Sequence, residues 1–498
     1  MKNILCLHAL LPNSRGTTFK NIYSLPRHGP GNRYVFHHLN APVTEALRRI
    51  QFDGIILHYC FLGHRLPRTV NTFKALYNFV ETSTAIKIAI CQDDYTCNEV
   101  LDTWLDELGV NIVYSPITRD LDVLYPRMSQ KPGVEFREGL TGYVDDDMLA
   151  ESFGLPLAER PIDVGSRVRA LGPQLGQHGQ RKAVVAERFC RAASAEGFVT
   201  DFSTDPGQVL LGNDWLRFLG SCRATIGSRG GASVADADGS IKERCLAYLE
   251  VHPDAAYDAV KANCFPDTPD DYRFDAISPR LFEAAATRTA QVLARDDYLG
   301  LVAHEDYIPL EDDFSNLPEV FTALRCTDTL ARLTDNAYRK LIASKRFSYE
   351  SFATEILGSI PQPGHVDQEA PALIAEHFQA LRGFTDLDET LGTLTTQTVK
   401  RAIQRHLRNE PAMPLEAQPS PEISATASLV AAEKFLAYPD RAIQFHMLAN
   451  WARAREPALL KLDLDEILIG HDASLLYTSR SLEQWGFCEC ILDEPSSR

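Results

Sequence analysis

Four short apolar runs in the first 130 residues, NILCLHA, DGIILHYCF, AIKIAICQ and NIVYSPI, constrain this chain most. Each is too uniformly apolar for a strand with one wet face, so each reads as a strand buried on both faces of a parallel sheet. Between them EALRRI, TVNTFKALYNFVET and VLDTWLDELG carry apolar residues at helical spacing. Strand–helix alternation of this kind predicts a doubly wound α/β domain, in which ligands gather beyond the carboxyl ends of the strands.

After a loop with Gly139, Gly142 and the acidic run Asp145 to Asp147, a second series begins at RPIDVGSR. It continues through RKAVVAERFCRAASAEG as helix, FVTDFS as strand, NDWLRFLGSC as helix, RATIGS as strand and IKERCLAYLEVH as helix. A helix starting at Ser278 and running through FEAAATRTAQVLA follows, then a short strand at YLGLVA. A chain of 498 residues has room for two to three domains. The reading is an N-terminal Rossmann-like domain over 1–150 and a second over 151–360, facing each other across a cleft. A mostly helical extension over 361–498 follows, with a Pro-rich linker near 411–424.

A net charge of −17 excludes an extended nucleic-acid surface, which needs a basic face to neutralise phosphates. Eleven cysteines without a C-x-x-C pair point to free thiols in a reducing, cytoplasmic setting, and the Cys488/Cys490 spacing alone is weak evidence for a metal. The start MKNILCLHALLPNSRG reads as a first strand, because His8 breaks the apolar run and no small-residue cleavage site follows. No run reaches the roughly 18 apolar residues of a membrane span. The cationic helical pattern VKRAIQRHLRNE, 399–410, suits either a solvated face or peripheral contact with an anionic membrane.

The stretch from Asp275 to Asn316 carries the sharpest chemistry. Ser278 suits an N-cap and Pro279 the first helical position. The free N–H groups of such a helix start favour an anion, and Arg280 can pair with a phosphate in two-pronged fashion. Glu283 lies one turn inside; with Leu281 at the third position there is no capping box, so its carboxylate is free to accept a ligand's hydroxyls. An ordinary capped surface helix would look the same.

These residues resemble the donor-binding half of GT-B-type glycosyltransferases, and most the CgeB-like, family-1-like group associated with bacterial surface polysaccharides. The shared elements are ISPRLFEA (277–284), Tyr298-Leu-Gly300, DYIPL (306–310) and DFSN (313–316). Asp306 stands where the group usually has His. Asp275, eight residues before Glu283, stands where many retaining members have Glu.

The resemblance implies a nucleotide-sugar donor bound in the second domain, by Gly165, Arg167, Arg169, Lys182, Ser228, Gly230, Gly231, Ser278, Arg280 and Glu283. Gly165 would turn the chain after its strand, Arg167 and Arg169 would reach a diphosphate, and Ser228 to Ser233 would form an anion nest. A glycan or lipid-linked glycan acceptor would meet His8, His58, Arg65, Gln92, Asp93, Asp94 and Tyr95 in the first domain. The run Gln92 to Tyr95 resembles the group's QDEY element with Asp94 for Glu. Asp93, Asp94, Arg167 and Glu283 are the catalytic candidates: the paired aspartates would permit inversion, and Glu283 leans towards retention. No cofactor is implied; Asp236-Ala-Asp238 could be read as a metal-binding D-x-D, but the tandem α/β layout argues against that. The rival readings are a non-catalytic sugar-nucleotide-binding protein and a sugar-nucleotide epimerase.

Overall fold

The computed structural model describes residues 1–10, 16–39, 41, 43–67, 70–150, 153–210, 212–364, 367–391 and 490–491. The Pro-rich stretch at 411–424, the cationic segment 399–410 and Cys488 lie outside the described residues.

Two parallel sheets form, as the alternation predicts. The first comprises β1 (Asn3–His8), β2 (Arg33–His38), β3 (Gly54–Leu57), β4 (Ile86–Ile90), β5 (Ile112–Ser115) and β6 (Glu135–Glu138), in the order β2-β1-β3-β4-β5-β6. The second comprises β7 (Ile162–Arg167), β8 (Thr200–Ser203), β9 (Cys222–Gly227), β12 (Ala290–Ala294) and β13 (Ile308–Leu310), in the order β13-β12-β9-β7-β8. Between β9 and β12 in sequence, β10 (Gly230–Ala232) and β11 (Phe274–Ala276) make a separate antiparallel ribbon. A last pair of residues, β14 (Cys490–Ile491), lies antiparallel beside β2. Every residue of β1, β3 and β12 is buried, the signature of strands covered on both faces.

Two sequence assignments need correction. The helix after Ser278 stops at Ala286: the Thr287 hydroxyl donates to the carbonyl of Glu283 at 3.0 Å, and Arg288 turns the chain at φ +52°. The following AQVLA is β12, paired on one side with β9 and on the other with β13, so its apolar residues are used by the sheet. YLGLVA is a turn, with Leu299 and Gly300 both at positive φ, and the edge strand comes later at β13.

The carboxyl ends of the two sheets meet. After β4, Tyr95 O accepts Asp236 N at 2.8 Å, and the amides of Asn98 and Glu99 donate to the carbonyls of Asp236 and Ala237. After β5, Arg119 stands 3.9 Å from Asp296, just past β12. After β6, the Thr141 hydroxyl donates to Ile277 O at 2.7 Å. The chain then returns: the helix Tyr349–Gly358, expected with the second domain, packs Phe352, Ile356 and Leu357 against Ile4, Ile56 and Ile88 of the first. The helix Ala370–Leu391 also belongs there, with Leu373 and Ile374 in the core on the other face of the first sheet. Among the described residues, no helix is long and apolar enough to cross a membrane.

Candidate active site

The helix Arg280–Ala286 begins one residue later than its sequence suggests, with Pro279 as N-cap and Ser278 supplying the first carbonyl, 3.0 Å from Leu281 N. Its start faces the seam between the domains: a Cβ on Gly142 would stand 2.9 Å from Pro279 Cγ and 3.5 Å from Thr17 Cγ2. Thr17 opens the helix Gly16–His28 of the first domain. Glu283, half-buried, accepts a hydrogen bond from Trp215 Nε1 on Oε2 at 2.7 Å. Burial pushes its carboxyl above the ordinary value; the Trp215 bond and the charges of Arg280 and Lys182 work against that rise, and Asp145 adds to it.

Trp215 and Phe218, one turn apart on the helix Gly212–Ser221, join arginines that sequence reading treated separately. Arg280 lies 5.3 Å from the Trp215 ring, Trp215 stacks on Phe218 at 5.6 Å, and Arg167 lies 4.3 Å from Phe218. Arg167 is also held by Asp201, 2.8 Å away, so it enters the site as part of a built row. Arg169 is exposed. Gly165 makes no turn. It lies inside β7, where a Cβ would stand 2.2 Å from Cys222 Sγ and 2.9 Å from Phe218 Cζ.

The expected anion nest at Ser228 to Ser233 is not formed, because Gly230 and Gly231 are extended in the β10–β11 ribbon. Lys182 reaches this ribbon, its Nζ 3.7 Å from where a Gly230 Cβ would be. Ser228 is buried at the end of β9, and Arg229 turns inward to Asp275 at 2.9 Å. Asp275 also meets Arg273 at 3.2 Å and His178 at 3.8 Å, and Arg273 reaches on to Asp296. Burial lowers the His178 pKa. The start of the helix Gly176–Ala195 is already filled: Gln177 N donates to Asp270 at 2.9 Å and His178 N to Ser233 at 3.0 Å.

Most of the acceptor candidates are tied up inside the first domain. His58 caps a short helix, takes Cys60 N at 3.2 Å and contacts Asn21 at 3.2 Å, and burial brings its pKa down to about 3. His8 is fully buried against Phe36 and His38. Arg65, 4% exposed, donates to the carbonyls of Thr96 at 2.7 Å and Asp93 at 2.6 Å, pinning the loop after β4. Asp94 does not face a cleft: it accepts Ser115 Oγ at 2.5 Å and Tyr125 OH at 2.7 Å, fully buried, and burial raises its pKa. Gln92 is half-buried and Tyr95 buried, its hydroxyl donating to Asp93 at 2.8 Å. Of the two aspartates only Asp93 is exposed.

Asp236 is occupied as a cap: its carboxylate accepts the amides of Gly239, Ile241 and Lys242 at the start of the helix Ser240–Val251. Asp306, in the place of the group's His, accepts Val302 N at 2.7 Å and pairs with Lys340. The residues missed in the sequence are Trp215, Phe218, His178, Arg273 and the seam pair Lys20–Asp145 at 2.9 Å. The W-x-x-F spacing in NDWLRFLGSC was the available signal for the first two. Beside Asp145, between the Gly16–His28 helix and Tyr349, lies a cavity of about 250 Å³ with Phe19 and Tyr23 on its wall.

No protein-family model and no curated protein matches this sequence. Among solved structures, Anabaena HepE in complex with UDP-glucose is similar at a TM-score of 0.39 and 11% identity, over 72% of this chain and 99% of that one. Sucrose-phosphate synthase from Thermosynechococcus elongatus is similar at 0.41 and 10%, over 72% and 98%. An alpha-glucosyltransferase in complex with UDP-glucose and DNA containing an abasic site is similar at 0.43 and 9%, over 72% and 99%. At such scores and identities these likenesses decide nothing about the chemistry of this chain.

Proposed function

We propose that this chain is a GT-B-type glycosyltransferase that moves a sugar from a nucleotide-sugar donor to a glycan or lipid-linked glycan. The observation that carries the reading is Glu283: a half-buried carboxylate inside a helix start that faces the seam of two parallel-sheet domains, with Arg280 and Lys182 around it. Glu283 would accept the hydroxyls of the donor ribose. Arg280 and Lys182 would offset charge on the departing diphosphate, so that positioning and electrostatics supply the catalysis and no divalent metal is needed.

The acceptor would enter from the first domain, past the exposed Asp93 or through the cavity beside Asp145. Retention is favoured over inversion on the Glu283 feature; an inverting enzyme would use Asp93 as its single base, since Asp94 is enclosed. The motifs at 277–316 support a role in bacterial surface-polysaccharide synthesis, on the cytoplasmic side of the membrane.

Calorimetry with UDP, GDP, dTDP and ADP tests the reading. The wild-type chain should bind one of them, and Glu283→Gln should bind it roughly 10- to 100-fold more weakly, the loss expected for a charged hydrogen bond. Binding unchanged by that substitution would remove the site. Activity that vanishes in EDTA and returns with manganese would remove the metal-free mechanism.

A further inference from the structure

We infer that Trp215 is the positioning residue of this site: its indole N–H fixes the Glu283 carboxylate, and its ring holds the Arg280 guanidinium beside it. The inference rests on the reading of Glu283 as the ribose-binding group. Trp215 Nε1 takes only one carboxylate oxygen, Oε2, at 2.7 Å. The other oxygen, Oε1, is left to accept a ligand's hydroxyls, and its direction is set because the first is pinned. A carboxylate on a three-torsion side chain would otherwise sample several rotamers, and each would have to be frozen on binding.

The ring does a second thing. A guanidinium 5.3 Å from an indole is within the range of a cation–π contact, and Trp is the strongest partner for one. Phe218 backs the indole at 5.6 Å with its plane tilted by 27°, and Arg167 closes the row at 4.3 Å from Phe218. The two arginines assigned to the diphosphate are therefore spaced by two rings of one helix. Trp215 belongs to one buried apolar cluster with Met148, Leu216 and Leu219.

A packing role alone would also bury Trp215 there, so the test must read something that packing does not move. Glu283 accepts hydroxyls most strongly when ionised. Burial disfavours that form and the Trp215 hydrogen bond favours it. Among the described residues, the other charges acting on Glu283 are Arg280 on its own helix, Lys182 from the Gly176–Ala195 helix, and Asp145 with its partner Lys20 across the seam. Trp215→Phe keeps an aromatic ring and removes the donor, and whatever it takes from the Arg280 contact is lost equally at every pH.

The pH dependence of nucleoside-diphosphate binding, for whichever of UDP, GDP, dTDP and ADP the wild-type chain binds, should then change. In wild type, affinity falls on acidification as Glu283 and the ligand's terminal phosphate take up protons. In Trp215→Phe that fall should begin roughly one pH unit higher, the equivalent of one charged hydrogen bond. In Glu283→Gln the acid-side fall should shrink to what protonation of the ligand's own terminal phosphate causes, at about pH 6. A Trp215→Phe protein that binds more weakly by the same factor at every pH overturns the inference that Trp215 fixes Glu283 and leaves only the ring's contacts. Glu283→Gln with wild-type binding overturns the ribose-site reading instead. A ligand-independent arm separates the two. The chain has four tryptophans, and in protein labelled with nitrogen-15 at the indole the signal lost in Trp215→Phe should titrate with pH. It should stop doing so in Glu283→Gln, and an indole signal indifferent to that substitution overturns the coupling even if no nucleotide binds.

Discussion

Gly230 and Gly231 read alike in the sequence, yet only one of them has to be glycine. A Cβ on Gly231 would stand 1.8 Å from the carbonyl oxygen of Phe274, a backbone atom fixed by the ribbon itself. At Gly230 the nearest atoms are the far end of Lys182, at 3.5 Å and beyond, which can move. Gly231→Ala should therefore destabilise the protein by about 2–3 kcal/mol, as overpacking against backbone does, and Gly230→Ala by less than about 1 kcal/mol. Chemical denaturation of both variants checks this, and equal losses would mean that the ribbon yields. The same comparison shows what residue-level reading could reach. Cap chemistry placed Arg280 and Glu283 in the first turn of a helix, although the cap is Pro279 and not the expected Ser278. Asp94 was misplaced because a carboxylate beyond a strand end looks the same whether it meets a ligand or, as here, Ser115 and Tyr125.

At the scale of elements, the stretch after Thr287 shows why short apolar runs mislead. TAQVLA follows a helix of good helix formers and continues its pattern, and only the left-handed turn at Arg288 and strand partners on both sides make it β12. RYVFHH, the strand β2, was passed over because Arg and two histidines dilute its apolar character. Those histidines have a measurable consequence. His38 and His58 are buried and neutral, with burial lowering each to about 3, and His377 on the helix Ala370–Leu391 is lowered to about 4. In each case the unfolded chain, titrating near 6.5, takes up a proton at a higher pH than the folded one. Stability is then full above about pH 6.5 and falls on acidification towards pH 4, by about 2 kcal/mol per histidine between pH 7 and pH 5. The raised carboxyls of Asp94, Asp236 and Glu283 work in the opposite sense and offset part of the loss. His58→Asn retains a good N-cap without the titration, so its melting temperature should decline less steeply with falling pH than that of wild type. Parallel declines would show that His58 is not among the groups responsible.

For the whole molecule, the division into two α/β units was legible from the strand–helix alternation. The return of the chain was not, because FATEILGSI is an amphipathic helix whichever domain receives it. The crossing segments lie side by side: Val144 N donates to Phe347 O at 2.8 Å and Tyr349 N to Val144 O at 3.1 Å, so the linker out and the linker back form one hinge. Two further ties close the cleft side, and their expected weights differ. Arg119 and Asp296 meet at 3.9 Å with the arginine half-exposed, a pairing worth less than about 1 kcal/mol and weakened by salt. Arg65 is buried and never crosses the seam, yet it sets the carbonyls of the loop whose Tyr95 O takes Asp236 N. Removing the guanidinium takes the Arg65 donor from the Thr96 carbonyl, at about 1–3 kcal/mol, and leaves the Asp93 carbonyl with Thr96 N alone. Arg65→Ala should therefore loosen the seam and Arg119→Ala should not. Hydrogen exchange reads it directly: the amides of Asp236, Asn98 and Glu99, which donate across the seam, should exchange at least tenfold faster in Arg65→Ala and at the wild-type rate in Arg119→Ala. Faster exchange confined to Arg119→Ala would mean that the exposed ion pair, and not the buried loop, holds the two domains in register.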